Sequence, residues 1–479
     1  MPPSNRALMY RFDPPNNVCS SEKVKEEAIS MDHISTLPHA LLVEILSRLT
    51  LKEAARTSIL SGTWVDLWKF VPNLDFDVPK VRQCIWENYW NSGDMEPVLF
   101  GRRRYIEWVN RVLTHYQGRK VNNFHVCFNI HNESNANGDI DRWLDFAISK
   151  RVQKLKLDFE RYGDASWDAS GCYIFSERCF KHMKTSEGLS DIRFLQSLCL
   201  AFVDVSDEIL EHFLCNCPLL EKLAVQHSHG LVRFKVAAGL SSPLPLKHLE
   251  VAHCKNLKEI EIDAPNLTYF KLDGRFPDGI NLRMENISSL TGLDLYNMID
   301  PGPVFLPRAK FARLETLTFM FDARKAKFPR SIEELTSLKQ LTVYVLGSDR
   351  NEIRGLLPVI NACPSLYQLS VRMDTDEEKD SSCRIWGGSE MEEMHRESIK
   401  VVEVSGFAGS AATHTGRWFL DYALRNFVTL EKLILDSRTC TSTGRIFKAP
   451  RVQAEVAVEC IQMLKSRLPS TVELVIPVS

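Results

Sequence analysis

The sequence has no excess of charge of either sign: 59 Lys and Arg stand against 61 Asp and Glu, for a net charge of −2 over 479 residues. The basic footprint on which nucleic-acid binding depends is therefore missing, and no nucleic acid is expected as a partner. No stretch approaches the ~20 uninterrupted apolar residues that a membrane-crossing helix needs, so no membrane partner is expected either. Thirteen cysteines, an odd number in no framework spacing, argue against a disulfide scaffold and for reduced thiols packed as small apolar side chains. Signatures of catalysis are also lacking. There is no G-x-x-x-x-G-K-[ST] loop, G-x-G-x-x-G turn or H-E-x-x-H helix, and G-F-A-G-S near Ser410 lacks the spacing of a hydrolase nucleophile elbow. Cys215 and Cys217 are an isolated pair. His125 with Cys127, and His227 with His229, alternate on expected strands without further ligands, so structural roles are expected, with no metal site, no cofactor and no enzyme activity.

Residues 1–30 hold Pro2, Pro3, Pro14, Pro15 and a charged run from Glu22 to Glu27. With no apolar core of a signal peptide, they read as a disordered tail, and the chain is expected in the nucleus, the cytoplasm or both.

What is present begins at Met31. Leu41, Leu42, Ile45, Leu46 and Leu49 recur as one broad apolar stripe of a helix opened by Leu37-Pro38, with Pro38 at the first helical position. Thr50 and Glu53 form a T-x-x-E capping box that restarts the chain as a second helix. A third is expected from Ser61, carrying Trp64, Leu67, Trp68 and Val71 until Pro72. So small a three-helix unit exceeds in apolar residues what it can bury alone, which points to docking on another protein.

The order and spacing of these residues, through ISTLPHALLVEILSRL, TSILSGTWVDLW and VPNLDFD, resemble the F-box of SCF-type ubiquitin ligase receptors. The resemblance implies that Leu37, Pro38, Ile45, Leu46, Leu49, Leu60, Trp64, Leu67 and Trp68 face a Skp-family adaptor or support that face, with a cullin reached through the adaptor. It departs at Gly62, Thr63 and Val65, where basic residues are usual in such relatives, and Asp66 adds a negative charge.

Between Val78 and Gly118 an aromatic-rich segment with a stripe of Ile106, Val109, Val112 and Leu113 is expected to be a helical connector, with Arg102, Arg103 and Arg104 solvated. From about Lys120 a unit of apolar-x-x-apolar-x-apolar recurs. It appears as Val152-Leu155-Leu157, Leu195-Leu198-Leu200, Leu220-Leu223-Val225, Leu246-Leu249-Val251, Leu257-Ile260-Ile262 and Leu267-Phe270-Leu272. It continues as Leu290-Leu293-Leu295, Leu314-Leu317-Phe319, Leu338-Leu341-Val343, Leu366-Leu369-Val371, Ile399-Val402-Val404 and Leu430-Leu433-Leu435. Most central positions lie 23 to 28 apart, whereas Leu249, Ile260 and Phe270 follow at 11 and 10, which requires tight returns. This is the pattern of an irregular leucine-rich solenoid: short parallel strands form the concave face and the chain returns along the convex side, in places as helices such as Ser206 to Cys215 and Ile353 to Ile360.

Alternation turns Lys222, His248, Glu250, Tyr269, Lys271, Tyr296, Tyr344 and Arg372 outward on that face, together with Glu259 and Glu261. Their mixed charge favours a protein substrate, of unknown identity. Asp374 to Met394 reads as an exposed loop. His395 to Asp436, with I-K-V-V-E-V-S-G-F and V-T-L-E-K-L, resembles the FBD region at the C-terminus of plant F-box proteins. Physically it is a strand, a turn at Gly406 and Gly409, a helix through Phe419 to Leu424 and a strand at Leu433; a helix over 452–468 and a strand over Val472 to Ile476 follow.

The expected fold class is α+β of repeat type, with a three-helix F-box at 31–77, a connector at 78–118, leucine-rich repeats at 119–390 and an FBD cap at 391–479. The implied role is substrate recognition in a Skp-cullin-F-box ubiquitin ligase. Alternatives are a leucine-rich-repeat scaffold outside any ligase, or a receptor whose small ligand completes the substrate surface.

Overall fold

Thr50 caps the second helix of the chain from both sides in the computed structural model. Its Oγ1 accepts from Glu53 N at 3.3 Å while its own N–H donates to Glu53 Oε2 at 3.0 Å, so the expected capping box is present. That helix, α2, runs Leu51–Arg56 and follows α1, His39–Leu46. Pro38 precedes α1 rather than lying within it. It is extended (φ −54°, ψ 142°), and its carbonyl accepts from Leu41 and Leu42.

The expected third helix is not formed. The chain instead makes three 3₁₀ turns, Thr57–Ile59, Gly62–Trp64 and Leu67–Phe70. The pairing around one carbonyl shows the change. Ser58 Oγ donates to Val65 O at 2.9 Å, the acceptor an α-helix would give to Lys69, and Lys69 N turns to Asp66 O at 3.1 Å instead. Gly62 at the start adds the entropic cost of the most flexible residue.

The structure describes residues 33–130, 136–159, 172–175, 191–236, 244–274, 276, 279–296, 311–322, 332–346, 356–373, 396–405, 415–436, 439–440, 446–447, 465 and 467–477. The expected tail 1–30, the loop Asp374 to Met394, the turn at Gly406 and Gly409 and nearly all of the helix over 452–468 lie outside them. The described residues divide into two units, Met1–Leu231 and Val232–Ser479.

In the first unit, β1 (Asn73–Asp75), β2 (Asn123–Cys127), β3 (Lys154–Asp158), Ser197–Ala201 and Lys222–Gln226 form parallel neighbours in that order. Leu74, Phe124, Leu155, Leu198 and Leu223 stand in register and are buried, so the apolar pattern becomes one continuous stack. β1 belongs to the exit of the N-terminal helical segment. The repeat pattern therefore begins earlier than Lys120, at Val71-Leu74-Phe76, and continues at Val121-Phe124-Val126, all buried. Between these strands lie α3 (Pro79–Ser92), α4 (Glu96–His115) and α5 (Ala136–Ser149). Arg102 is not solvated: it is buried on α4 and donates to Asn129 O and Oδ1 at 3.0 and 2.9 Å, which gives two of its N–H groups buried acceptors. A further helix, Asp207–Asn216, matches the expected convex segment.

In the second unit, strands at His248–Ala252, Tyr269–Asp273, Gly292–Tyr296, Thr316–Asp322, Gln340–Leu346, Gln368–Met373, Val401–Ser405, Lys432–Asp436 and Glu473–Val475 are parallel neighbours. Leu249, Phe270, Leu293, Leu317, Leu341, Leu369, Val402, Leu433 and Leu474 align across them. Helices Leu357–Asn361 and Thr415–Asn426 lie between strands.

The strand Glu259–Asp263 departs from the expectation. It does not join this sheet by a tight turn but pairs with Arg233–Val236 and Asn281–Glu285 in a separate three-stranded sheet. Ten or eleven residues are half a turn of this coil, enough to cross over but not to come back to the same sheet.

A buried hydroxyl ties the first two strands to α4. Tyr105 donates to Phe76 O at 2.9 Å and accepts from Cys127 N at 3.2 Å, and burial pushes its ionisation well above the usual tyrosine range. Tyr105→Phe leaves both backbone groups unpaired in a dry site. The expected loss is about 1–3 kcal/mol of stability, measured by chemical denaturation.

Candidate functional site

Two surfaces gather the side chains singled out from the sequence. The first is the α1–α2 segment. Leu42, Leu46, Leu51, Ala54, Trp64, Leu67, Val71 and Leu74 make its small core. The Trp64 ring is held by its Nε1, which donates to Ser35 Oγ at 2.7 Å, and His39 meets Phe70 edge-on at 5.0 Å. Of the predicted adaptor residues, Leu46, Trp64 and Leu67 are thus interior supports, Leu37 and Trp68 are half-buried, and Pro38, Ile45, Leu49 and Leu60 are exposed.

Three exposed apolar residues were not among those predicted: Ile34, Leu41 and Ile59. Ile59 and Leu60 are 79% and 64% exposed, more than an apolar side chain keeps in water without reason. The signal was available, because Ile59-Leu60 sits just before Ser61 and Gly62, where two consecutive apolar chains cannot both face one small core. At Gly62 an added Cβ would meet nothing within 4 Å, and Asp66 pairs with Lys69 at 2.6 Å. The departures from the usual basic residues therefore alter charge at the rim and leave the apolar set intact.

The second surface is the outward row of the second unit. His248 stacks on Tyr269 at 4.6 Å, Tyr269 Oη donates to the Asp294 carboxylate, and Lys271 reaches Glu250 at 2.9 Å while lying 5.8 Å over the Tyr296 ring. Tyr296 meets Tyr344 at 5.5 Å, and Arg372 donates to Tyr344 Oη at 2.7 Å with its guanidinium over the same ring. Burial raises Tyr269 and Tyr296 above the normal phenol range, with Asp294 adding to both, so each stays a neutral donor.

Seven of the eight predicted substrate residues thus form one cross-strand network, extended by Asp294. Met320, also buried, packs with Tyr344 and Tyr296. Lys222 belongs to the first unit. Glu259 and Glu261 lie on the separate three-stranded sheet, where Glu261 pairs with Lys235 at 3.0 Å and Arg283 at 3.2 Å. Gly292 makes the network possible, since a Cβ there would sit 2.8 Å from Tyr269 Cδ2, in the space the ring crosses to reach Asp294.

Comparison with known proteins bears on both surfaces. A family model described as At1g61320/AtMIF1, LRR domain, matches residues 112–477, and an F-box domain model matches residues 34–75. Among curated proteins of Arabidopsis thaliana, F-box/FBD/LRR-repeat protein At1g13570 is 26% identical over 277 residues, covering 56% of this chain and 54% of that protein. Putative F-box/LRR-repeat protein At5g02930 is 24% identical over 396 residues, 70% of this chain and 76% of that one. F-box/LRR-repeat protein At2g42720 is 25% identical over 469 residues, 90% of this chain and 100% of that one. The chain therefore spans about half the length of the first of these and the whole of the last.

Gly292→Ala is expected to lift the Tyr269 ring off Asp294. The cost should be about 1–3 kcal/mol by thermal denaturation. Spectrophotometric titration should show one tyrosine returning toward the normal phenol range.

Proposed function

We propose, from the premise that the chain belongs to the At1g61320/AtMIF1 leucine-rich-repeat family and carries an F-box, that it is the substrate-recognition subunit of a Skp-cullin-F-box ubiquitin ligase. The observation that carries this reading is the exposed apolar set Ile34, Leu41, Ile45, Leu49, Ile59 and Leu60, which an adaptor of the Skp family would cover. Each such side chain contributes roughly 1.5–3 kcal/mol when fully buried, before association costs are subtracted.

The network from His248 to Arg372 is then the surface that holds a protein substrate. The mechanism is proximity: a captured lysine is kept at high effective concentration near a ubiquitin thioester carried by another subunit. The chain itself supplies no acid, base or nucleophile in this reading. The strands Val401–Ser405 and Lys432–Asp436, with the helix Thr415–Asn426 between them, act as the FBD cap of the solenoid. The complex works in the nucleus, the cytoplasm or both.

A second reading is favoured by Gly62, Thr63, Val65 and Asp66. Without basic residues at that rim, the chain would act as a leucine-rich-repeat interaction protein outside a ligase.

Calorimetry with a plant Skp-type adaptor separates the two. The wild-type chain is expected to bind, and Ile45→Asp and Leu60→Asp are each expected to weaken binding about 10–100-fold, matching the loss of one buried apolar anchor. Both positions are exposed, so circular dichroism should be unchanged. Absence of binding by the folded wild-type chain would move the interaction-protein reading to first place.

A further inference from the structure

The first two strands bring together three side chains that are 48 and 50 residues apart along the chain. A carboxylate oxygen of Asp77, a ring nitrogen of His125 and the thiol of Cys127 all lie within 4.8 Å of one another. His125 and Cys127 alternate on β2, so both point to one face. Asp77 is delivered to that face because Phe76 N donates to His125 O at 2.8 Å, which locks the end of β1 beside β2.

The surroundings have the form that a metal ligand needs. Asp75 Oδ1 lies 3.0 Å from His125 Nδ1 and also accepts from Asp77 N at 2.9 Å. A carboxylate on one ring nitrogen fixes the tautomer and leaves the other with a lone pair. That other nitrogen, Nε2, is buried and has no hydrogen-bond partner. A ring nitrogen in that state is the form that can take a metal ion. Cys127 is 2% exposed as a residue, whereas the His125 and Asp77 side chains are 19% and 27% exposed, so the cluster has a dry floor and an open mouth.

We propose that Asp77, His125 and Cys127 form a binding site for a borderline-soft divalent cation, with zinc as the ion this donor set fits. One sulfur, one imidazole nitrogen and one carboxylate oxygen are the zinc donors, and a fourth, solvent position stays open at the mouth. Zinc bonds of about 2.0–2.3 Å require the three donor atoms to draw together by roughly 1 Å. The move involves Asp77, whose Oδ1 now lies 3.0 Å from Arg82 Nη2; the carboxylate has a second oxygen with which to keep that pair. Binding releases the Cys127 thiol proton to solvent, leaving a Zn–S bond. The ion would pin the exit of the docking segment to the second strand of the repeat sheet.

The test uses the full chain under anaerobic conditions with a phosphine reductant and Co²⁺ as the probe. One equivalent of cobalt is expected to give a thiolate-to-metal charge-transfer band that zinc abolishes and that Cys127→Ser lacks. Asp75→Asn, which keeps all three ligands, should weaken zinc about 10–100-fold through the lost orientation of His125. If Cys127→Ser does not fold, His125→Gln, at the mouth of the cluster, decides by the same band. A band that persists in these variants would place the metal on other cysteines and overturn the proposal. So would its absence from wild-type chain with native circular dichroism.

Discussion

One backbone carbonyl per turn organises the described solenoid. Just before most strands of the long parallel rows, two consecutive N–H groups donate to a single carbonyl of the preceding turn. Asn122 and Asn123 donate to Pro72, Gln153 and Lys154 to Asn122, Gln196 and Ser197 to Gln153, and Glu221 and Lys222 to Gln196. The second unit repeats the arrangement from Lys247 through Thr268, Thr291, Glu315, Lys339, Tyr367 and Lys400. Because this link is made by backbone, it tolerates almost any side chain, and only the apolar residues behind it are constrained. Each turn borrows its partners from a neighbour, so no turn is stable alone.

That division of labour explains which parts were legible in the sequence. All twelve recognised units are strands, because Leu, Val, Ile and Phe at fixed offsets are what burial on one sheet face demands. Val71-Leu74-Phe76, Val121-Phe124-Val126 and Leu231-Phe234-Val236 follow the same rule; the first is hidden among residues that read as a helical module, and the other two lie within the expected repeat region without being singled out. Sheet membership was less legible than strand existence. Leu257-Ile260-Ile262 has the same pattern as its neighbours, and only its spacing of ten or eleven residues marks it as the half-turn that lies on the other sheet.

The F-box segment shows the complementary limit. Thr50 and Glu53 announced their capping box because its signal lies within four residues. Where a third helix is expected, Ser58 reaches Val65 across a turn, a contact that periodicity does not encode. Likewise Trp64 and Ile59 are both apolar, but one is the floor of the module and the other its outer surface. Sequence shows that there is more apolar surface than the module can bury, and packing decides which residues are left over. On the repeat sheet, Gly292 carries no pattern of its own; its meaning appears only when Tyr269 is seen lying across it.

Pro72 starts the carbonyl relay, and its position has a consequence for solubility. An open parallel sheet exposes at its first strand a row of unpaired groups that invites a strand from another molecule. Here that strand is only Asn73–Asp75, helix α2 packs against it, and the Asn73 side chain reaches back to Ser47 O at 3.2 Å. Pro72 has no N–H to offer, so the relay can be continued forward from it but not extended backward. The same few residues that connect the F-box to the repeats therefore also blunt the edge, and leave this first strand little backbone with which to pair edge-to-edge.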